Sequence, residues 1–453
     1  MRAYNTLPLD DDILDRIFAF ISDFDTLRSL ILTSKAFYSI FQAHSNSIIR
    51  TIAYNFVGPA LSQAARLVRY KSRKLDGNDL GDDVIENDES KGEESDAAMS
   101  LKTSDVLTLI ESHTVVKKLE DRFSRKRKDR SFNSSVLTPL ESWRFRRAMY
   151  RIMLFVEMFP WTAYLDDYDD AAVKRVIIQH QTFLDNFLTS ELQELYGVAL
   201  FVVELNEPMV WTCNGYHRHS VIALSYGPAA TLAAIEGIPD NRFFEELMDS
   251  NIPLEEHDDR PSPVHDYLLR PLGRVMVKRN VTLLNEGDPD IWRVILDSVV
   301  GEHDICQSCS SSPGGFNLRN HTNWDTLRLV FDGPTGSGVW PSLRGNLRSN
   351  ILEMNNYRII CARPFDYPKF MQEMFGLEQV KKSSGWKRED WLCENCIKAF
   401  LYMHLHFWML QRKKEAGEVI YEDCWYGYNC KTQTHSMDHA ERYNHFCEPT
   451  RPE

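Results

Sequence analysis

TPLESWRFRRAMYRIMLFVEMF, residues 138–159, sets the architecture of this chain. Thr138 suits a helix N-cap, Pro139 the first helical position, and Glu141 completes a capping box. Apolar residues continue at helical spacing through AAVKRVIIQHQTFLDNFLTSELQELYGVALFVVEL, residues 171–205. Within that run VALFVV, Val198–Val203, reads as a buried element. The pattern predicts a mainly helical central domain over 103–300, in a chain that is mainly α. No repeat of fixed period interrupts it.

The 453 residues allow two to four domains, and the 43% hydrophobic content suits a globular protein with some unstructured sequence. A net charge of −13 excludes generic binding of polyanions, so phosphate-rich ligands would need a local basic or aromatic site. The N-terminus carries acids early and no apolar h-region, which argues against a signal peptide. No apolar run of about 18 uncharged residues exists, so no membrane span is expected. Two C-x-x-C pairs and a terminal cluster, in a chain without a secretory signal, favour metal over disulfides. The expected location is therefore nuclear and/or cytoplasmic.

Upstream, LPLDDDILDRIFAFI, residues 7–21, places Ile13, Leu14, Ile17, Phe18 and Ile21 on one helical face. Asp10, Asp11 and Asp12 complement the helix start. Leu27, Leu30, Leu32, Phe37 and Phe41 resume the pattern after a short break. In order, Leu7-Pro8, Ile13-Leu14, Ile17-Phe18, Asp25, Leu27 and SKAFYSI (34–40) resemble an F-box, with Ser34 and Phe37 at positions usually held by Cys and Trp. The resemblance implies a three-helix module over 1–56 that docks on a Skp-type adaptor and, through it, a cullin–RING ubiquitin ligase. Three short helices bury little apolar surface alone. Leu7, Pro8, Ile13, Leu14 and Ile17 would then complete their burial on the adaptor. The plainer alternative is a helical hairpin packed on its own domain. Residues 75–102, acidic and rich in Gly and Ser, predict a disordered linker or loop. The basic block Ser124–Arg130 predicts a solvated helix face or loop, with a nuclear import signal as the rival.

From residue 301 to 417 the texture turns irregular, with DICQSCSSSPGGF (304–316), VFDGPTGSGVWPSL (330–343) and CARPFDYP (361–368). Helical pattern returns in WLCENCIKAFLYMHLHFWMLQRKKEAG, residues 391–417, where Gly417 makes a stop. Cys306-x2-Cys309 and Cys393-x2-Cys396 are each half of a four-thiolate zinc site that would stabilise this region. The 83 residues between the pairs exceed the roughly 20 of an ordinary ribbon, so reduced buried thiols remain the alternative. Cys213 and Cys361 read as core, and His404 and His406 as packing or surface residues. GPTGSG (333–338) lacks the Lys-Ser/Thr of a phosphate loop and reads as a turn. No catalytic signature appears, so the chain reads as no enzyme. A hidden enzyme in 140–400 would need a polar pocket with coupled histidines and carboxylates.

The tail, 418–453, contains CWYGYNCKTQTHSMDHAERYNHFC, Cys424–Cys447. So short a segment cannot offset its chain entropy by apolar burial. A metal can, zinc contributing on the order of 10 kcal/mol in small fingers. Cys424-x5-Cys430-x8-His439-x5-His445 supplies two thiolates and two imidazoles, with His435 a rival for His439 and Cys447 for His445. Cys424, Tyr426, Gly427, Cys430, His439, Tyr443 and His445 together resemble the poly(ADP-ribose)-binding zinc finger. The resemblance implies one Zn2+ and contacts to the polymer from Tyr426, Lys431, Thr432, Gln433 and Arg442, with Trp425 and Tyr428 as further π faces. Joined to the N-terminal resemblance, it implies a substrate receptor of an SCF-type ubiquitin ligase for poly(ADP-ribosyl)ated proteins. The alternative is a nucleic-acid-binding or scaffold zinc-finger protein outside any ligase.

Overall fold

A computed structural model describes residues 11–75, 101–129, 135–160, 170–210, 224–236, 267–284, 288–300, 304–312, 318–331, 338–353, 356, 365–382 and 385–451. Leu7, Pro8, Cys213, Cys361, most of GPTGSG and most of the acidic stretch 75–102 lie outside them. The fold is mainly α, with one two-residue strand pair among the described residues. Among the described residues, no helix is long and apolar enough to cross a membrane. The chain gathers into two compact units: Met1–Arg122 with Leu137–Asn206 and Arg218–Asp297, and Phe123–Val136 with Glu207–His217 and Ser298–Glu453.

In the first unit, α1 (Asp11–Ala19) and α2 (Phe24–Thr33) both pack on α3 (Lys35–Val57). Asp23 caps α2 by accepting from Thr26 N at 2.7 Å. Ser34 caps α3 by accepting from Ala36 N at 3.1 Å. Asn55 then ties α3 to the frayed end of α1, its Nδ2 donating to both Ala19 O and Ile21 O at 2.8 Å. Phe18 meets Phe37 edge-on at 5.6 Å. Leu14 is buried beside them, so its side chain belongs to the protein's own core and not to a docking surface. Ile17 is half-buried, and Ile13 is 46% exposed.

α4 (Leu61–Leu75) follows the left-handed Gly58 and packs against α6 (Pro139–Met158). The Thr138 capping box forms: Glu141 Oε2 accepts from Thr138 N at 2.8 Å, while Oε1 accepts from Asp297 N at 2.9 Å. One carboxylate therefore starts α6 and anchors a segment 156 residues away. α5 (Val106–Arg127), α7 (Asp170–Asp185), α8 (Thr189–Val210), α9 (Gly227–Ile235) and α10 (Leu269–Lys278) are the other described helices before residue 298. Val198–Val203 is buried within α8, as its composition predicts. Arg147 grips Glu191 and Glu194, and burial nonetheless pushes the Glu194 carboxyl upward. Basic block residues Ser124, Arg127 and Asp129 are buried, and the Ser124 and Ser135 hydroxyls meet at 2.9 Å. The expected solvated face is thus corrected: the end of α5 is packed by the Ser135 segment.

The second unit has α13 (Glu394–Glu415) as its axis. β1 (Leu318–Arg319) pairs antiparallel with β2 (Leu392–Cys393), Leu318 opposite Cys393, and β2 feeds directly into α13. α11 (Tyr367–Gly376), capped by Asp366, and α12 (Glu378–Lys382) flank it. Trp324, Phe375 and Phe400 form a stacked column with 5.4 and 4.6 Å centroid spacings. Short 3-10 turns such as Trp324–Leu327, Trp340–Ser342 and Gly345–Ser349 hold the irregular stretch against this core. Gly417 ends α13 with φ +75°, as expected of a C-terminal glycine. α14 (Met437–Arg442) lies in the tail. Tyr428 and Phe446 enter the same core as α13, which is why 301–417 and 418–453 form one unit.

His180 lies among Phe155, Phe159 and Tyr267, and burial drives its pKa down to about 3; His113, which meets the Tyr150 hydroxyl at 2.9 Å, is likewise lowered to about 3 by burial. Both rings are neutral when folded, whereas the unfolded chain protonates them below its ordinary value near 6.5. Their contribution to stability is complete above about pH 6.5 and is lost as pH falls toward 3. At pH 5 each should cost about 2 kcal/mol. Urea unfolding of His180→Leu should show a smaller loss between pH 7 and 5 than the parent chain; an equal loss would reject the neutral buried ring.

Candidate metal centres

Two groups of four side chains converge so that their ligand atoms all lie within 4.8 Å of one another, and either could hold a metal ion. The first is Cys306, Cys309, Cys393 and Cys396. Cys306 and Cys309 sit on a tight turn, in which Ser310 N donates to Cys306 O at 2.7 Å and Ser310 adopts φ +57°. Gln307 stitches this turn to β2 through two bonds with the Trp391 backbone, at 2.9 and 2.6 Å. Cys393 is the N-cap of α13 and Cys396 lies in its first turn. A helix N-terminus favours thiolate there. Cys393 N donates to Cys306 Sγ at 3.3 Å, and the Cys309 and Cys393 sulfurs are 3.7 Å apart. The Ser311 hydroxyl and amide draw the Cys309 thiol down to about 6, while burial pushes Cys396 up to about 12. A bound cation would override both and deprotonate all four. The 83-residue gap is closed by the β1–β2 pairing, which no local spacing reveals.

The second group is Cys424, Cys430, His439 and His445. Cys424 and Cys430 approach His439 Nε2 at 3.7 and 3.3 Å. His445 is buried, and its Nε2 has no hydrogen-bond partner among the described residues. An orphaned imidazole nitrogen facing two thiols and another imidazole fits a metal, because burial without a partner is costly. The Tyr443 backbone hydrogen-bonds the same ring, the kind of outer contact that orients a metal-binding imidazole. Burial lowers His445 to about 4 and raises Cys424. The two rivals stay outside. His435 is exposed beside the Thr434 hydroxyl, and Cys447 contacts the Cys424 and Asn444 carbonyls at 3.4 and 3.3 Å. Burial pushes Cys447 up to about 11, which keeps it a thiol.

Around this cluster Tyr426, Lys431, Thr432 and Arg442 are exposed. Trp425 is also exposed, with the Arg451 guanidinium 3.8 Å over its ring. Gln433 is fully buried, which corrects its expected role as a contact for ligand. Its Nε2 donates to Tyr428 O and Cys430 O at 3.2 and 2.9 Å, and its Oε1 accepts from Asn350 Nδ2 at 2.8 Å. Tyr428 is buried too, its hydroxyl donating to Glu448 at 2.8 Å and its ring under Arg344. Asn346 Nδ2 donates to Asn429 O at 2.8 Å, so Arg344, Asn346 and Asn350 all support the tail's loop, which its own spacing could not reveal, since they sit some 80 residues upstream. No protein-family model, curated protein or solved structure matches this chain.

The purified chain should carry two metal ions by elemental analysis. Cys396→Ser and Cys424→Ser should each lose one, and the double variant both. A stoichiometry unchanged by either substitution would reject these ligand sets. Gly427, with φ +45°, faces the Cys447 carbonyl where a Cβ would have to sit. Gly427→Ala should therefore release the tail's ion while sparing the other.

Proposed function

We propose that this chain is a non-catalytic receptor that captures poly(ADP-ribosyl)ated proteins through its tail and docks on ubiquitin-ligase machinery through its first helices. One observation carries the reading. The four residues that the finger resemblance implies as ligands are the four that converge, while His435 and Cys447 do not. Two thiolates with two imidazoles, and four thiolates at the other centre, suit zinc, which takes four N or S donors tetrahedrally. Both are closed sets with no position left for a reacting water, so zinc would act by fixing loops.

Exposed Tyr426 offers a face for adenine, and stacking on such a ring contributes roughly 1–3 kcal/mol. Exposed Lys431 and Arg442 offer cations to the pyrophosphate, and the Thr432 hydroxyl a hydrogen bond to ribose or base. At the other end, Ile13, Phe20 and Leu32 are exposed apolar side chains on or beside α1 and α2, which favours a partner surface there. With Leu14 in the core, Ile13 and the half-buried Ile17 are the residues of α1 that would meet a Skp-type adaptor, and a cullin behind it. Joining the two ends raises the effective concentration of ligase at a modified target.

The metal-loaded full chain should bind labelled poly(ADP-ribose). Tyr426→Ala and Arg442→Ala should each weaken binding tenfold or more while retaining both ions. Effective competition by plain RNA, with none from poly(ADP-ribose), would instead favour the nucleic-acid-binding alternative. From cells, adaptor and cullin should co-purify with the parent chain and be lost with Ile13→Asp; their absence from the parent sample would reject the ligase half.

A further inference from the structure

A cavity of about 420 Å3 opens in the second unit beside the tail's metal cluster. It lies where the extended segment 418–421, α14 and the end of α13 meet. Its volume is within the range of small-ligand and side-chain pockets. Glu353 and Lys413 form its interior pair; their side chains are 5% and 13% exposed and ion-paired to each other. Lys413 is also held by Glu418 at 3.4 Å and sits over the Phe446 ring. Tyr421 and Tyr443 line the cavity and are both exposed, as is the carboxylate of Glu441.

These features select one kind of occupant. Three carboxylates face one ammonium, and two of the three already hold that ammonium. An incoming anion would meet a surplus of negative charge and no cation to spare. A purely apolar segment would bury the carboxylates at a cost of several kcal/mol. A metal ion is unsuited as well, since among the described residues only the two cysteine-bearing groups converge as ligands do. A cationic side chain fits each element: its charge complements Glu441 and Glu418, and its head or stem lies against the tyrosine rings.

We infer that this cavity receives a lysine or arginine side chain presented by a partner protein, and so reads a basic segment of that partner. The inference goes beyond nucleotide binding and does not depend on it: Tyr421, Glu441 and Glu418 are none of the residues assigned to the polymer. Neither does it need any ionisation change in the protein. The surplus of carboxylates is already present at neutral pH.

The test is fluorescence anisotropy with the metal-loaded full chain. The probes are a labelled peptide with lysines and arginines spaced by glycine and serine, and a matched peptide with glutamine in their place. The basic peptide should bind at least tenfold more tightly than the glutamine peptide. Glu441→Lys and Tyr421→Ala should each weaken it tenfold or more, with metal content unchanged. Glu378→Lys, an equal change in charge on the exposed surface of α12, should alter binding less than twofold. If Glu378→Lys weakens binding as much as Glu441→Lys, the attraction is bulk charge and the assignment is wrong. Equal binding of the two peptides, or indifference to both cavity substitutions, overturns it as well. Poly(ADP-ribose) binding measured on the same variants separates this outcome from failure of the nucleotide reading.

Discussion

One helix supports both metal centres. α13 is 22 residues long, so it spans about 33 Å. Its N-cap and first turn supply Cys393 and Cys396, its middle carries Phe400 into the aromatic column, and its far half presents His406 and Lys413 to the tail. The segments that reach it are poor in regular hydrogen bonding: two-residue strands, 3-10 turns and extended chain. Ordering such segments costs about 1–2 kcal/mol per residue in backbone entropy, which their limited apolar content does not repay. Four thiolates could join the Cys306–Cys309 turn to the start of α13, while the tail's two thiols and two imidazoles could tie the tail to itself. An ion held in either cluster would therefore help to order the second unit.

The tail depends on its surroundings as well as on its cysteine–histidine cluster. Gly345, at φ +57°, brings its backbone so near Tyr428 that an added Cβ would lie 2.6 Å from the Tyr428 carbonyl oxygen. Asn346 Nδ2 donates to Asn429 O at 2.8 Å, Asn350 completes the bonding of Gln433, and Arg344 pairs with Glu448. These contacts fix the tail against the segment 344–350. A tail docked in this way would lose less freedom on binding the proposed ligand than one on a loose tether, so more of each contact's energy would appear as affinity.

The sequence was legible where the decisive signal was local. The Thr138–Glu141 box, the Gly417 stop and the tail's two thiols and two imidazoles each act within a few turns of chain, and each took its expected place. What stayed hidden depended on distant partners. The four-thiolate set of Cys306, Cys309, Cys393 and Cys396 was expected from its two C-x-x-C pairs, but what closes it is β1 on β2, strands too short for any alternating pattern to register. Gln433 has the residue type of a ligand contact, but Asn350, 83 positions away, claims its amide. Leu14 shares a helical face with Ile13 in the periodic pattern, yet the neighbouring helix covers one and leaves the other exposed. Ser124–Arg130 has the composition of a solvated surface, and only the return of Ser135 reveals that part of it is packed.

Charge sets the terms on which the tail would hold the proposed nucleotide polymer. Between Cys424 and Arg451 stand Lys431, Arg442 and Arg451 against Asp438, Glu441 and Glu448, and Glu418, Glu422 and Asp423 precede them. Arg451 already lies on Trp425, and Glu448 is taken by Arg344 and Tyr428. Few cations remain to neutralise phosphates, in a chain whose net charge is −13. Counterion release, the main source of affinity for proteins that track a phosphate backbone, is correspondingly small here. Recognition of the proposed polymer would then come from rings and directed hydrogen bonds around the tail's loop. Those terms favour a ligand with a base and two riboses per repeat over one that offers charge alone.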